Sequence, residues 1–138
     1  MKNLLFLNIL FLAFFFFPAC NGDDDSGEII PEYHVHIHSP NVDAKNVGDE
    51  IDIEVEFEEH NGGTVHHINV RVYNKDTGEE IYNQPTQAHV HATAGYYEFM
   101  DKLTLNVASN THWVLEAKVW GHDDGVAEVV EKLEFHVN

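Results

Sequence analysis

The stretch 50–58 constrains this chain more than any other. Ile51, Ile53, Val55 and Phe57 alternate there with Asp52, Glu54, Glu56 and Glu58 without a break. A period of two puts the apolar side chains on one face and the carboxylates on the other, which the 3.6-residue period of a helix cannot do. The segment is a half-buried strand, and its backbone groups need neighbouring strands to bond to. Residues 33–38 repeat the pattern with a different outer face. Tyr33, Val35 and Ile37 alternate with His34, His36 and His38, so three imidazoles line up on one side.

The same reading predicts strands at 65–73, 80–83, 87–91, 96–107, 112–120 and 128–137. Each is bounded by turn residues: Asn61-Gly62-Gly63, Asp76-Thr77-Gly78, Ala92-Thr93-Ala94-Gly95, Ser109-Asn110 and Gly121 to Gly125. Asn-Gly supplies the positive φ angles that a tight reversal needs. A bulge is expected near Asp101-Lys102, and Trp113 is a candidate core aromatic. Residues 41–48 form a loop with room for a short edge strand. Only 126–133 offers an alternative helical period. About seven strands at this spacing in one domain spanning 31–138 imply an all-β, two-sheet antiparallel sandwich. The stretch from Glu32 to Asn138 resembles immunoglobulin-like or fibronectin type III-like domains. It lacks the cysteine pair of antibody domains, and Trp113 is not at their tryptophan position.

The beginning of the chain has another character. Met1-Lys2-Asn3 is a short basic start, and Leu4 to Phe17 is apolar except for Asn8. That run is shorter than the roughly 20 residues a helix needs to cross a bilayer. It reads as the hydrophobic part of a secretory signal, giving a signal peptide over 1–19. The single cysteine of the chain, Cys20, follows Ala19. This junction resembles the lipobox of bacterial lipoproteins, with Phe17 and Pro18 where leucine and a small residue are usual. The resemblance implies cleavage after Ala19 and lipidation of Cys20. The acidic stretch Asp23-Asp24-Asp25 within 20–30 is similar to the export tether of Bacteroidota-type surface lipoproteins. That likeness implies a lipid-anchored protein of the outer membrane, at the cell surface or its periplasmic face. A plain acidic linker gives the same flexible leash.

Charge narrows the partners. Seven Lys or Arg stand against 24 Asp or Glu, a formal net charge of −17 at pH 7. Such a surface repels nucleic-acid phosphates and anionic lipid and concentrates cations. With one cysteine there is no disulfide, and packing alone must hold the domain.

Eleven histidines are the other compositional mark. If 87–91 and 96–107 form a hairpin, the order of one sheet is 33–38, 50–58, 96–107, 87–91. His89 then faces Glu98 and His91 faces Tyr96. His34, His36, His60, His66, His67, His89, His91 and His122 gather at one end, with Asp123 and Asp124, while His112 and His136 fall at the other end and His38 lies about 13 Å along its strand from His34. His66 has the inward parity of Ile68. Outward residues at i and i+2 are roughly 6.6–7 Å apart, so each His-X-His offers two ligands and a neighbouring strand must supply the rest. Imidazole and carboxylate without thiolate suit Zn, Cu(II) or Ni. The nine histidines other than His112 and His136 are the candidate metal ligands. The competing readings are surface decoration and a face that protonates near pH 6 against its glutamates.

Two other function classes compete. A glycan- or protein-binding module, on the cell surface or in adhesion, would use Tyr73, Tyr96 and Trp120. An enzyme would need a pair such as His112 with Ser109, or His122 with Asp123 and Asp124. No nucleophile elbow, H-E-x-x-H helix or phosphate loop accompanies either pair, so a non-enzymatic reading is favoured.

Overall fold

In the computed structural model the described residues are 30–84, 89–122 and 128–138. The signal peptide, Cys20 and most of the acidic tether lie outside them, as do Asp123 and Asp124. Eight strands run β1 (Tyr33–Ser39), β2 (Glu50–Glu59), β3 (Val65–Asn74), β4 (Glu80–Asn83), β5 (His89–Ala92), β6 (Tyr96–Thr104), β7 (Thr111–Trp120) and β8 (Val129–Val137). They form an immunoglobulin-like sandwich of a three-stranded sheet, β1-β2-β6, and a five-stranded sheet, β4-β3-β7-β8 with β5 also on β3. All the strand pairs are antiparallel.

The alternation of β2 does what its pattern dictates. Ile53, Val55 and Phe57 are buried to 1% exposure or less and meet Val65, Ile68, Val70 and Val72 of β3 and Leu115 and Val119 of β7 in one core. Trp113 joins that core, and its indole N–H donates to Thr111 Oγ1 at 2.8 Å. Interior packing at this density makes each of these side chains costly to trim. Residues 128–133 have no helical turn, since β8 begins at Val129. The edge element expected in 41–48 reduces to Lys45, which bridges Val137 in parallel. Its N–H donates to His136 O at 2.8 Å, and its carbonyl accepts from Asn138 N at 2.9 Å.

Two sequence expectations fail. Of the expected strand 87–91, residues 87–88 lie outside the described residues, and the rest forms no hairpin with 96–107: β5 pairs with β3 through Val65↔Ala92 and His67↔His89. The sheet order that included it beside β6 is therefore wrong. The Ala92–Gly95 turn carries the chain from one sheet to the other instead. β7 covers one edge of β3, and β4 covers only Arg71 to Tyr73 of the other. Docking β5 satisfies backbone groups at the open part of that edge, and it packs Val90 and Ala92 against the core. The expected bulge at Asp101-Lys102 is also absent. β6 pairs with β2 in unbroken register from Glu50↔Thr104 to Glu58↔Tyr96. Asp101 has inward parity, and it accepts a hydrogen bond from Tyr82 OH at 2.6 Å rather than forcing a bulge. Leu105 and Val107 lie beyond the strand, with Leu105 fully buried.

Glu59 ties together the end where the β2–β3 and β5–β6 turns meet. Its buried carboxylate accepts from the N–H groups of Glu32 at 3.1 Å, Asn61 at 3.0 Å and Gly63, while its own N–H donates to Gly95 O at 2.8 Å. Gly95, at φ +70°, leaves no room for a side chain, since a Cβ there would lie 2.7 Å from Glu59 O.

Candidate metal centre

The candidate histidines divide into two groups on different sheets, not one array. His66, His67, His89, His91 and His122 collect where β5 joins β3. His34, His36, His38 and His60 lie on the outer face of β1 and the end of β2. His112 and His136 pair with each other across β7 and β8, with ring centroids 4.7 Å apart, far along β7 from Trp120.

The first group depends on an irregularity. Between its two pairs with β3, β5 spends one residue more than β3 does. The extra residue makes a bulge, a device that re-aims side chains. His91 adopts φ +50° within it, in the left-handed region that few non-glycine residues enter. As a result the rings of His89 and His91 approach to 3.7 Å between centroids, and His91 lies 4.6 Å from His66. His89 Nε2 is 3.1 Å from His66 Nδ1, and His66 Nδ1 is 3.3 Å from His67 Nδ1. One ring nitrogen from each of His66, His89 and His91 falls within 4.8 Å of the others. Bonds of 2.0–2.1 Å in tetrahedral array put ligand atoms about 3.3 Å apart, so the His89 Nε2–His66 Nδ1 pair already stands at ligand spacing.

The surroundings orient these rings. His67 Nδ1 is 2.7 Å from Gly121 O, which accepts its proton and leaves Nε2 with a free lone pair. Its ring stacks between His89 at 4.5 Å and Trp120 at 5.2 Å. His122 meets His66 edge-on at 5.0 Å. Burial holds the His66 pKa below the ordinary imidazole value, and the neighbouring charges of His89, His67, His91 and His122 lower it further. Burial and then the charges of His91, His67 and His122 lower His89 too. Both rings thus favour the neutral form that a metal requires.

In the second group β1 pairs with β2 so that His34 faces Glu58 and His36 faces Glu56. Here imidazoles meet carboxylates. His60 Nε2 is 2.9 Å from Glu58 Oε2, His36 Nε2 is 3.9 Å from the same oxygen, and His38 Nε2 is 3.7 Å from Glu56 Oε2. The hydrogen bond from His60 lowers the Glu58 pKa against some opposing desolvation. The proposed partners of β5 in the other sheet are thus replaced: Glu98 faces Glu56, and Tyr96 faces Glu58. Sequence reasoning identified Glu56 and Glu58 as outward carboxylates without counting them as ligands. It missed Glu59 and the His67–Trp120 stack, which only strand register reveals.

The aromatics considered for a glycan platform are engaged by neighbours. Lys118 Nζ lies 4.8 Å over the Trp120 ring, Arg71 lies 4.8 Å over Tyr73, and Tyr96 donates to Glu56. His112 is paired with His136 in the strand ladder, and Ser109 is an exposed loop residue.

No protein-family model matches the chain, and no curated protein does. Two solved structures of a CARDB domain from Pyrococcus furiosus are similar in fold. The solution NMR structure gives a TM-score of 0.55 at 19% identity, covering 78% of this chain and 95% of that one. The crystal structure, described as a complex with di-metal ions, gives 0.53 at 20% identity, covering 79% and 90%. What this likeness establishes is the immunoglobulin-like β-sandwich.

Proposed function

We propose that this chain is an exported, lipid-anchored domain that captures or buffers a divalent transition metal through His66, His89 and His91. One observation carries the reading: three imidazole nitrogens from β3 and the β5 bulge converge within 4.8 Å. His67 and His122 are within reach as further nitrogen donors, and water can complete the shell. An all-imidazole set suits Zn, Cu(II) or Ni. Because His89, His91 and His122 are exposed, an ion exchanges without the fold opening, as capture or buffering demands. That a CARDB domain of similar fold was crystallised in complex with di-metal ions supports a sandwich of this type accommodating cations. The anchor reading rests on Leu4 to Phe17, Ala19-Cys20 and the acidic stretch after it.

Calorimetric titration with Zn(II), Cu(II) and Ni(II) tests the metal. His89→Ala with His91→Ala is expected to weaken Ni(II) binding about 100-fold or more, since two of three ligands are lost. Equal affinity in that variant would sink the proposal. Labelled palmitate fed to expressing cells tests the anchor, with Cys20→Ala expected to abolish incorporation.

A further inference from the structure

We infer that the outer face of the three-stranded sheet carries a second cation site, built from His36, Glu56 and Glu58, for a harder divalent ion such as Mn(II). It is independent of the imidazole cluster, and either site can exist without the other.

The geometry begins with register. His36 and Glu56 are direct cross-strand partners, as are His34 and Glu58 one pair further along, so four side chains stand in a block on one face. Cross-strand partners hold their Cβ atoms about 4.5–5.5 Å apart, close enough for long side chains to share an ion. One donor atom from each of His36, Glu56 and Glu58 falls within 4.8 Å of the other two. The two carboxylates sit on the central strand of the sheet, with Val55 and Phe57 between and beside them fully buried, so the backbone beneath is fixed. A site on such a strand is held more firmly than one on a loop.

Each carboxylate is also steered from the side. Tyr96 OH donates to Glu56 Oε2 at 3.1 Å, and His60 lies 2.9 Å from Glu58 Oε2 while stacking on His34 at 4.3 Å. Outer partners of this kind orient metal-binding carboxylates.

Charge supplies the motive. Glu56 faces Glu98 across β2 and β6, with Glu58 on the same face. Among the described residues no lysine or arginine forms an ion pair with Glu56 or Glu58, whereas Glu50 and Asp52 further along β2 share Lys102. Three carboxylates at one end of the face repel one another, and a bound cation relieves that repulsion. The chemistry then separates the two sites. Two anionic oxygens and one nitrogen suit a hard, water-retaining ion, while the imidazole cluster offers neutral nitrogens only.

The test is an Mn(II) titration of the full chain at pH 7.5, followed by loss of the free-ion EPR signal, with no other transition metal present. Wild type is expected to hold one Mn(II) per chain above any weaker binding. Glu56→Gln with Glu58→Gln should weaken that binding at least about tenfold, and His36→Ala should weaken it too. His66→Ala with His89→Ala and His91→Ala should leave it unchanged while removing Ni(II) binding. Glu50→Gln with Asp52→Asn removes the same charge elsewhere on the strand and should also leave it unchanged. The inference is overturned if Mn(II) binds E56Q/E58Q as well as wild type, or if the E50Q/D52N control weakens it equally. Circular dichroism of each variant confirms that the sandwich is intact.

Discussion

Two faces of this sandwich carry most of its histidines, and they are assembled in opposite ways. On β1 and β2, His34 and His36 sit in regular register with their rings 6.4 Å apart, only His38 falls at a register shift, and the imidazoles meet carboxylates of the neighbouring strand. Where β5 joins β3 the ladder is irregular, and imidazoles meet imidazoles at 3.7 to 5.0 Å between centroids. Regular pleating keeps residues at i and i+2 near its own repeat and leaves the gap to the next strand's side chains. A bulge shortens that separation and converges one residue type on itself. The same amino acid therefore yields a mixed nitrogen and oxygen surface in one place and a nitrogen-only cluster in the other.

The largest test asks whether the two faces share one foundation. Phe57 lies beneath Glu56 and Glu58 in the common core, fully buried. Phe57→Ala is expected to cost about 3–5 kcal/mol in urea melts. Metal binding at both faces should fail together as the domain approaches its unfolding limit. Loss at one face alone would show that the faces rest on separate supports.

A turn provides the next largest effect. Gly95→Ala puts a methyl group against Glu59 O at φ +70°, and a penalty of about 1–3 kcal/mol is expected. The turn leads out of β5, so Ni(II) affinity should drop more than Mn(II) affinity. Equal losses would argue that the bulge does not depend on this junction.

Acid should separate the faces by window rather than by sign. His66 and His89 have folded pKa values below the unfolded 6.5, so the unfolded chain binds more protons. Stability is then full above 6.5 and falls as pH drops from 6.5 toward the folded values. Glu58 has a folded pKa below 4.5, so its contribution is present above 4.5 and is lost as pH falls through the folded value. Urea melts from pH 8 to 3 should show the first loss removed by His66→Gln with His89→Gln. The second should be removed by Glu58→Gln. The smallest effect belongs to Tyr96→Phe. Deleting one exposed hydrogen bond to Glu56, worth roughly 0.5 kcal/mol, should weaken Mn(II) binding about two- to threefold and leave Ni(II) binding alone.

The difference between the faces also marks what could be read without coordinates. The β1/β2 face was legible because alternation in both strands fixes parity and the strands are neighbours in sequence, whereas their register, with its shift between Ile37 and Ser39, was not. Nor was the β5 cluster. A four-residue strand with His at alternate positions fits either sheet equally well, and the Ala92–Gly95 turn looks like a hairpin in both cases. Period two also puts His66 and His67 on opposite sides, yet their Nδ1 atoms are 3.3 Å apart. β3 breaks its alternation there, with Val65 and Ile68 both buried and His66 and His67 between them, while the left-handed backbone at His91 and the extra β5 residue bring in the rings of His89 and His91. Trp113 was visible as core from parity alone. Glu59 was not, because a buried carboxylate satisfied by three backbone N–H groups looks in sequence like any other turn residue.

Lys45 offers a last lesson about life in a crowd. The outermost strand of a sheet exposes a row of amides and carbonyls on which another molecule can zip itself. By taking His136 O and giving its own carbonyl to Asn138, the short bridge at Lys45 closes that row at one end of β8 and stations an ammonium there. A second copy of the chain approaching edge to edge finds that end of the border already taken, and strand addition there is blocked.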